Sequence, residues 1–280
     1  MLRRLLVSVS HSPAAAAQRK IALHLAKQHE ARVTGCAIVD VDRIGMVGPA
    51  PVGAFSYRVR LIEARLLEAK REANESLTAL EEECDRSGID YQGKHIRGTT
   101  DETLSSIWRF QDLALMPTNP WSPGERSAED VAAVLHLVAM GLRPILAVPE
   151  GAEWNPSKAL VALSGSLDSA KAFKQFVQMR LCPDASLHLV TVGEPKSGEA
   201  ADTLLEDAES YAIDHGFKVT TSALANTSDR TEVLLNEAEK VGAGVIVIGS
   251  SYRRFLAFEK FGSHAMGALE RSKLPVFVSH

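Results

Sequence analysis

The chain has 280 residues, 45% apolar and 24% charged, with a formal net charge of −4, and lacks the basic excess of a general nucleic-acid-binding surface. A chain of this length has room for two cores of about 140 residues each, and no stretch approaches the roughly 20 apolar residues of a membrane span. Three scattered cysteines, Cys36, Cys84 and Cys182, form neither a disulfide framework nor a zinc-ligand pattern, so a reduced, cytoplasmic setting is the expectation.

The opening MLRRLLVSVSHS alternates as a strand does, and its apolar run is too short for a secretory leader. Strands are expected at 4–10, 32–39, 89–97, 112–117 and 144–148, with helices near 13–29, 58–87, 101–109 and 127–141. The segment 40–60, DVDRIGMVGPAPVGAFSYRVR, is rich in glycine and proline yet apolar at Ile44, Met46, Val47, Val52 and Phe55. It reads as a packed loop filling the crevice of its own half, with a lid or an inter-chain contact as the alternatives. The long helix after it carries an apolar stripe beneath a charged face and needs no partner.

After the turn-rich link GAEWNP (151–156) a second series begins, with strands expected at 158–164, 187–193, 217–224, 244–249 and 275–279. Its helices are expected at 167–180, 198–214, 229–241 and 262–272. Ser166 is placed to cap the first of them, with Asp168 in its first turn; Gly216 ends the second, and Ser228-Asp229 open the third ahead of Glu232.

The second series repeats the first in order. RRLLVSVSHSPAAAAQRKIAL (3–23) matches SKALVALSGSLDSAKAFKQFV (157–177), and ARVTGCAIVD (31–40) matches ASLHLVTVGE (185–194). DLALMPTN (112–119) matches GVIVIGSS (244–251), and LRPILAVPE (142–150) matches KLPVFVSH (273–280). An internal duplication is the reading, with domains at 1–150 and 155–280. Strands such as VIVIG and ALVAL are apolar on both faces, as in a parallel sheet covered by helices on each side. The expected fold class is therefore α/β: two tandem doubly wound domains, each with a five-stranded parallel sheet.

In such sheets ligands bind beyond the carboxyl ends of the strands, where the strand order reverses. In the second half those positions are Ser164 and its neighbours Leu163, Gly165 and Ser166, then Val192-Gly193, then Gly249-Ser250-Ser251. The helix opening at Gly262-Ser263-His264 turns free N–H groups toward the same crevice. Gly249 and Gly262 leave an approaching phosphate unobstructed, Ser263 adds a hydroxyl, and Arg253, Arg254 or Lys260 is available to neutralise charge. The plainer alternative is a strand-end turn, a helix start, a solvated basic pair and a capping or exposed His264. His11 holds the place of Gly165 in the first half, as a turn histidine or a pocket residue. No metal-ligand spacing, P-loop or nucleophile elbow occurs.

The pattern G-x2-G-x9-G-[ST] after the fourth strand is similar to the nucleotide loop of universal stress proteins. The chain resembles a tandem member of that family over essentially its whole length, including VALSGS and the terminal LPVFVSH. The resemblance implies an adenine nucleotide alpha hydrolase-like fold. It also implies antiparallel pairing of Pro144–Pro149 with Pro275–Ser279, an internal pseudo-dimer about a pseudo-twofold, with a homodimer as a further option. It implies ATP or AMP, with or without Mg²⁺, in the second half, at Ser164, Val192, Gly249, Ser250, Ser251, Gly262, Ser263 and His264. The function it implies is an adenine-nucleotide-responsive interaction module of the stress response, with a protein partner and no catalysis of its own.

The chain departs from the pattern in particular places. Tyr252 stands where the spacing has glycine, so its ring is expected to obstruct the phosphates or reshape the loop, and Ser164 replaces an acidic residue. In the first half Pro117, Pro120 and Val131-Ala132 replace the two glycines and the Gly-Ser, and proline removes N–H donors. Two rival readings follow. One is the same fold without nucleotide, acting purely through protein contacts; the other is an ATP-pyrophosphate-cleaving enzyme, for which SGSLDS (164–169) is a weak match to S-G-G-x-D-S.

Overall fold

The computed structural model describes residues 2–9, 12–39, 55–97, 107–118, 128–140, 143–226, 229–255 and 258–280. The first half runs β1 (Arg4–Val9), α1 (Ala15–His29), β2 (Arg32–Val39), α2 (Phe55–Arg86), β3 (Tyr91–Arg97), β4 (Leu113–Pro117), α3 (Ala128–Met140) and β5 (Ile145–Val148). The second runs β6 (Lys158–Ala162), α4 (Leu167–Met179), β7 (Ser186–Val192), α5 (Ala201–Asp214), β8 (Lys218–Leu224), α6 (Arg230–Val241) and β9 (Val245–Gly249). It closes with β10 (Tyr252–Phe255), β11 (Phe258–Phe261), α7 (Ser263–Arg271) and β12 (Val276–Ser279).

These elements follow the sequence expectations to within a few residues, with two differences. Helix α2 starts at Phe55, since no glycine or proline interrupts the chain between there and Arg86, and the expected loop after β9 contains an antiparallel hairpin that pairs Tyr252 with Phe261 and Phe255 with Phe258. The two strands, YRRF and FEKF, place aromatic residues opposite each other at both ends of the pairing. His11, residues 40–54, Pro120 and Ser228, for which the sequence raises expectations, lie outside the described residues, as does the expected helix over 101–106.

Local chemistry sets the helix ends. The Ser166 side chain accepts from the Ser169 N–H at the start of α4, and Asp229 accepts from the Thr231 N–H at the start of α6. Helix α6 ends on Gly242 in the left-handed region, at φ 67°. Along α4, Ala172, Phe173, Phe176 and Val177 recur at helical spacing and are all buried.

Ten strands form one sheet in the order β3-β2-β1-β4-β5-β12-β9-β6-β7-β8. Each half contributes five strands in the same order, and within each half every pair is parallel. The halves meet where β5 and β12 pair antiparallel, Val276 opposite Ala147, Phe277 opposite Leu146 and Val278 opposite Ile145. The central strands β4, β5, β9 and β12 are apolar because both faces are covered, whereas the edge strand β8 (KVTTSAL) is polar and largely exposed. Leu5, Val7, Leu146, Val161, Val247 and Phe277 face the layer that includes α1, α2, α4 and α5, while Leu6, Ile145, Leu160, Ile246 and Val278 face α3, α6 and α7.

At the seam, Phe277 is fully buried and meets Phe176 edge-on, ring centroids 5.4 Å apart at 79°. The link between the halves is pinned as well. Trp154 meets His24 of α1 edge-on at 6.4 Å, and the Asn155 backbone passes so close to Gly244 that no Cβ fits there. The Phe277→Ala variant is expected to lose about 3–5 kcal/mol of unfolding free energy, read by urea denaturation. A loss below about 1 kcal/mol would show that the seam is not tightly packed.

Candidate functional site

In the second half the chain passes from β6 outward to β7 and β8, then returns to β9 on the other side of β6. The order thus reverses between β6 and β9. Beyond the carboxyl ends of these strands lies a cleft open to solvent, lined from both β6 and β9. Its floor is apolar: Ala162 and Leu163 after β6, Val190 and Val192 on β7, Ile248 on β9, with Leu234 of α6 and Ala265 of α7. Its polar lining comes from four places. Ser164, Ser166 and Ser169 stand at the start of α4; Glu194, Lys196 and Arg230 come from the β7–α5 loop and the first residue of α6; Ser251, Gly262 and His264 flank the hairpin.

The structure gathers Ser164, Val192, Gly249, Ser251, Gly262 and His264 around this one cleft. Ser250 and Ser263 are not brought into it. Ser250 is buried toward β12, its N–H donating to the Ser279 carbonyl at 2.8 Å and its own carbonyl 2.8 Å from His280 Nδ1. Ser263 is exposed, as the first residue of α7.

The glycines differ in what they do. A Cβ on Gly249 would collide with the backbone of Asp168 and Ser169, so the space its missing side chain leaves is filled by the first turn of α4. Glycine is required at 249 for packing, whatever occupies the cleft. A Cβ on Gly262 would meet only the Ser251 hydroxyl, at 2.9 Å, and that side chain can rotate. Gly262 caps α7 without a side-chain acceptor, and its N–H donates to the Ser251 carbonyl at 2.9 Å. The N–H groups of the first turn of α7 therefore point out of the helix with no side-chain cap at the cleft edge.

Of the two effects expected of Tyr252, obstruction of the cleft does not occur. Tyr252 is not among the lining residues; its ring packs against Phe261 at 5.5 Å and meets His280 and His136 edge-on at 6.3 and 6.5 Å. Pairing in the hairpin carries it away, because Tyr252 opposes Phe261. The side chains of Arg253, Arg254 and Lys260 lie outside the described residues.

The serines are mutually engaged. Ser164 Oγ lies 3.0 Å from Ser166 Oγ, Ser169 Oγ donates to the Ser166 carbonyl at 2.8 Å, and the Ser164 N–H donates to Ser169 Oγ at 3.2 Å. The Ser164 carbonyl accepts from the Lys196 N–H at 2.8 Å, which ties the β7–α5 loop to the turn after β6. Gly165, at φ 69°, completes that turn against Pro195 and Ser197.

Charge at the cleft comes from residues the loop pattern does not include. Asp229 accepts from the Thr231 N–H and is paired to Arg271, and these contacts, the backbone bond foremost, hold its carboxyl below the usual range. The adjacent Arg230 reaches over Gly193 instead: a Cβ there would lie 3.2 Å from its Nη2. Among the described residues neither Arg230 nor Lys196 has an ion-pair partner. His264 is half-buried, and desolvation first, then Lys196 and Arg230, lower its pKa against the opposing pull of Asp229. Its imidazole is uncharged at neutral pH. Deeper on the same face of β7, His188 Nδ1 lies 2.8 Å from Thr220 Oγ1 and its Nε2 3.2 Å from Glu237 Oε1, and burial lowers its pKa despite that carboxylate.

Neither Lys196 nor Arg230 stands in a motif that the sequence shows. A lysine four residues past a strand and an arginine opening a helix become cleft residues only through the path of the chain. Among the described residues no group of His, Cys, Asp and Glu is placed to hold a metal ion, and no helix is long and apolar enough to cross a membrane.

Residues 156–280 match the model of the universal stress protein family. The whole chain superposes on a universal stress protein from Archaeoglobus fulgidus with a TM-score of 0.69 at 14% identity, covering 99% of this chain and 95% of that one. A putative universal stress protein from Pseudomonas aeruginosa gives a TM-score of 0.62 at 15% identity, covering 99% and 93%. At these identities the likeness is one of fold. No curated protein sequence matches the chain.

Two outcomes check the site's packing. Gly249→Ala is expected to lower stability by at least about 2 kcal/mol in urea unfolding, since backbone must move, while Gly262→Ala costs under about 1 kcal/mol. Equal costs would contradict the assignment of roles. His29, His188 and His264 all have folded pKa values below 6.5, so the unfolded chain binds more protons and stability falls as pH drops from 6.5 through those values. Denaturant midpoints measured from pH 7.5 to 5 are expected to fall, less steeply in His188→Gln; a midpoint independent of pH would contradict the burial of these imidazoles.

Proposed function

We propose that this protein, whose C-terminal half belongs to the universal stress protein family, binds an adenine nucleotide in the cleft between β6 and β9 and signals its occupancy without turning it over. The observation that carries the proposal is the lining of the cleft: an apolar floor, with two side-chain cations and an uncapped helix start at its edge. ATP and AMP both suit it, with Mg²⁺ held between phosphate oxygens and water rather than by a dedicated protein cage.

Absence of turnover is supported by the state of the candidate groups. Ser164, Ser166 and Ser169 bond to one another rather than to a base. Asp168, the acid of SGSLDS, lies 3.7 Å from His280 Nδ1 and is not a lining residue, which speaks against the pyrophosphate-cleaving alternative. The hairpin supplies a route for signalling. It leaves the cleft at Ser251 and carries Tyr252 to His136 of α3 in the other half, so occupancy alters a surface that a protein partner or a second copy reads. Three buried, unpaired cysteines suit a reduced compartment such as the cytoplasm.

The reading without nucleotide draws on a specific observation: Ser164 offers a neutral hydroxyl, already engaged, where the family pattern has an acid. Thermal unfolding with ATP, AMP and adenosine, with and without Mg²⁺, separates the two. Stabilisation is expected, reaching about 2.7 kcal/mol at a hundredfold excess over Kd, with no phosphate or pyrophosphate released on prolonged incubation. No stabilisation at millimolar nucleotide would leave the pure interaction module as the function.

A further inference from the structure

We propose that Lys196, Arg230 and His264 form the phosphate-reading end of the cleft, and that His264 takes up a proton when a polyphosphate binds there. This deepens the nucleotide reading and rests on it for the identity of the natural ligand, but the phosphate site stands on its own residues.

The three side chains come from separate elements, the β7–α5 loop, the start of α6 and the first turn of α7, and all line the same cleft. Arg230 and Lys196 lack ion-pair partners among the described residues, since Asp229, the acid adjacent to Arg230, is held by Arg271. Positive charge therefore converges on one spot with a single carboxylate, Glu194, on the lining. Guanidinium and ammonium groups facing an open cleft without a counterion favour an anion, and a planar guanidinium is suited to bidentate contact with phosphate oxygens.

His264 responds to the same charges. Lys196 and Arg230 both act to keep it deprotonated, together with its burial, and Asp229 opposes them. A polyanion placed among these groups reverses the balance: it neutralises the two cations and adds negative charge beside the imidazole. The proton is then favoured on His264, where a charged imidazole donates to phosphate oxygen. By linkage, the phosphate compound binds more tightly as pH falls through the interval between the free and bound pKa of His264, by at most about tenfold per pH unit for one proton.

Titration calorimetry with tripolyphosphate, ATP and adenosine tests this on the full chain. Tripolyphosphate and ATP are expected to bind, and each of Lys196→Ala and Arg230→Ala to weaken both by about tenfold while leaving adenosine unchanged. Lys196 is on an exposed loop, so its variant keeps the fold even if Arg230→Ala does not. Titrations at pH 6.5 in two buffers of different ionisation enthalpy are expected to show more proton uptake by the native chain than by His264→Gln; the difference cancels protonation of the ligand itself. Tripolyphosphate binding without adenosine or ATP binding would uphold the phosphate site and remove the nucleotide reading. ATP binding equal in the native chain and in Lys196→Ala/Arg230→Ala would overturn the inference and leave the nucleotide reading intact. Failure of tripolyphosphate to bind, or proton uptake unchanged in His264→Gln, would overturn the inference as well.

Discussion

The antiparallel pairing of β5 with β12 is the constraint from which the rest of the architecture follows. Each half alone would expose the last strand of a parallel sheet, with its unpaired N–H and carbonyl groups. Joined through Ala147–Val276, Leu146–Phe277 and Ile145–Val278, the two edges satisfy each other and the sheet runs through ten strands. Side chains at the seam alternate between two apolar layers, and Phe277 locks one of them by its edge-on contact with Phe176. Helix α3 of the first half packs against α7 and β12 of the second, so the cleft of the second half is framed by elements that both halves hold in place.

Within that frame the cleft exists because the strand order reverses between the parallel strands β6 and β9, and its shape depends on close approaches that only glycine permits. Gly249 lets the first turn of α4 press against the end of β9, and Gly165 lets the turn after β6 settle against Pro195 and Ser197. These contacts fix the positions of the serines and the helix starts. The charges are set by a division of labour at the head of α6: Asp229 is spent on capping and on Arg271, while Arg230, one residue later, turns to the cleft. Local helix chemistry thus decides which charge faces the ligand space.

The fold was largely legible in the sequence because its signals are local and repeated. Strands apolar on both faces, such as VIVIG, mark a covered parallel sheet, and the order of matched segments marks the duplication. Ser166 and Asp229 announced the helix starts that the structure contains. The site was legible only where it coincides with a backbone pattern. Ser164, Val192, Gly249, Ser251, Gly262 and His264 sit at strand ends and a helix start, which topology brings together. Ser250 and Ser263 neighbour them in sequence but face elsewhere, since adjacent residues on a strand or at a helix start point in different directions. The hairpin was hidden because its pairing turns on which way Tyr252 faces, and the cations were hidden because their role is fixed by tertiary path alone.

The most direct measurement is a crystal structure of the full chain grown with ATP and Mg²⁺. The expected result is an adenylate whose base rests on Val190, Val192 and Ile248 and whose phosphates lie among Lys196, Arg230 and the start of α7. A cleft without nucleotide at millimolar ATP, or phosphates bound away from those residues, would contradict the account.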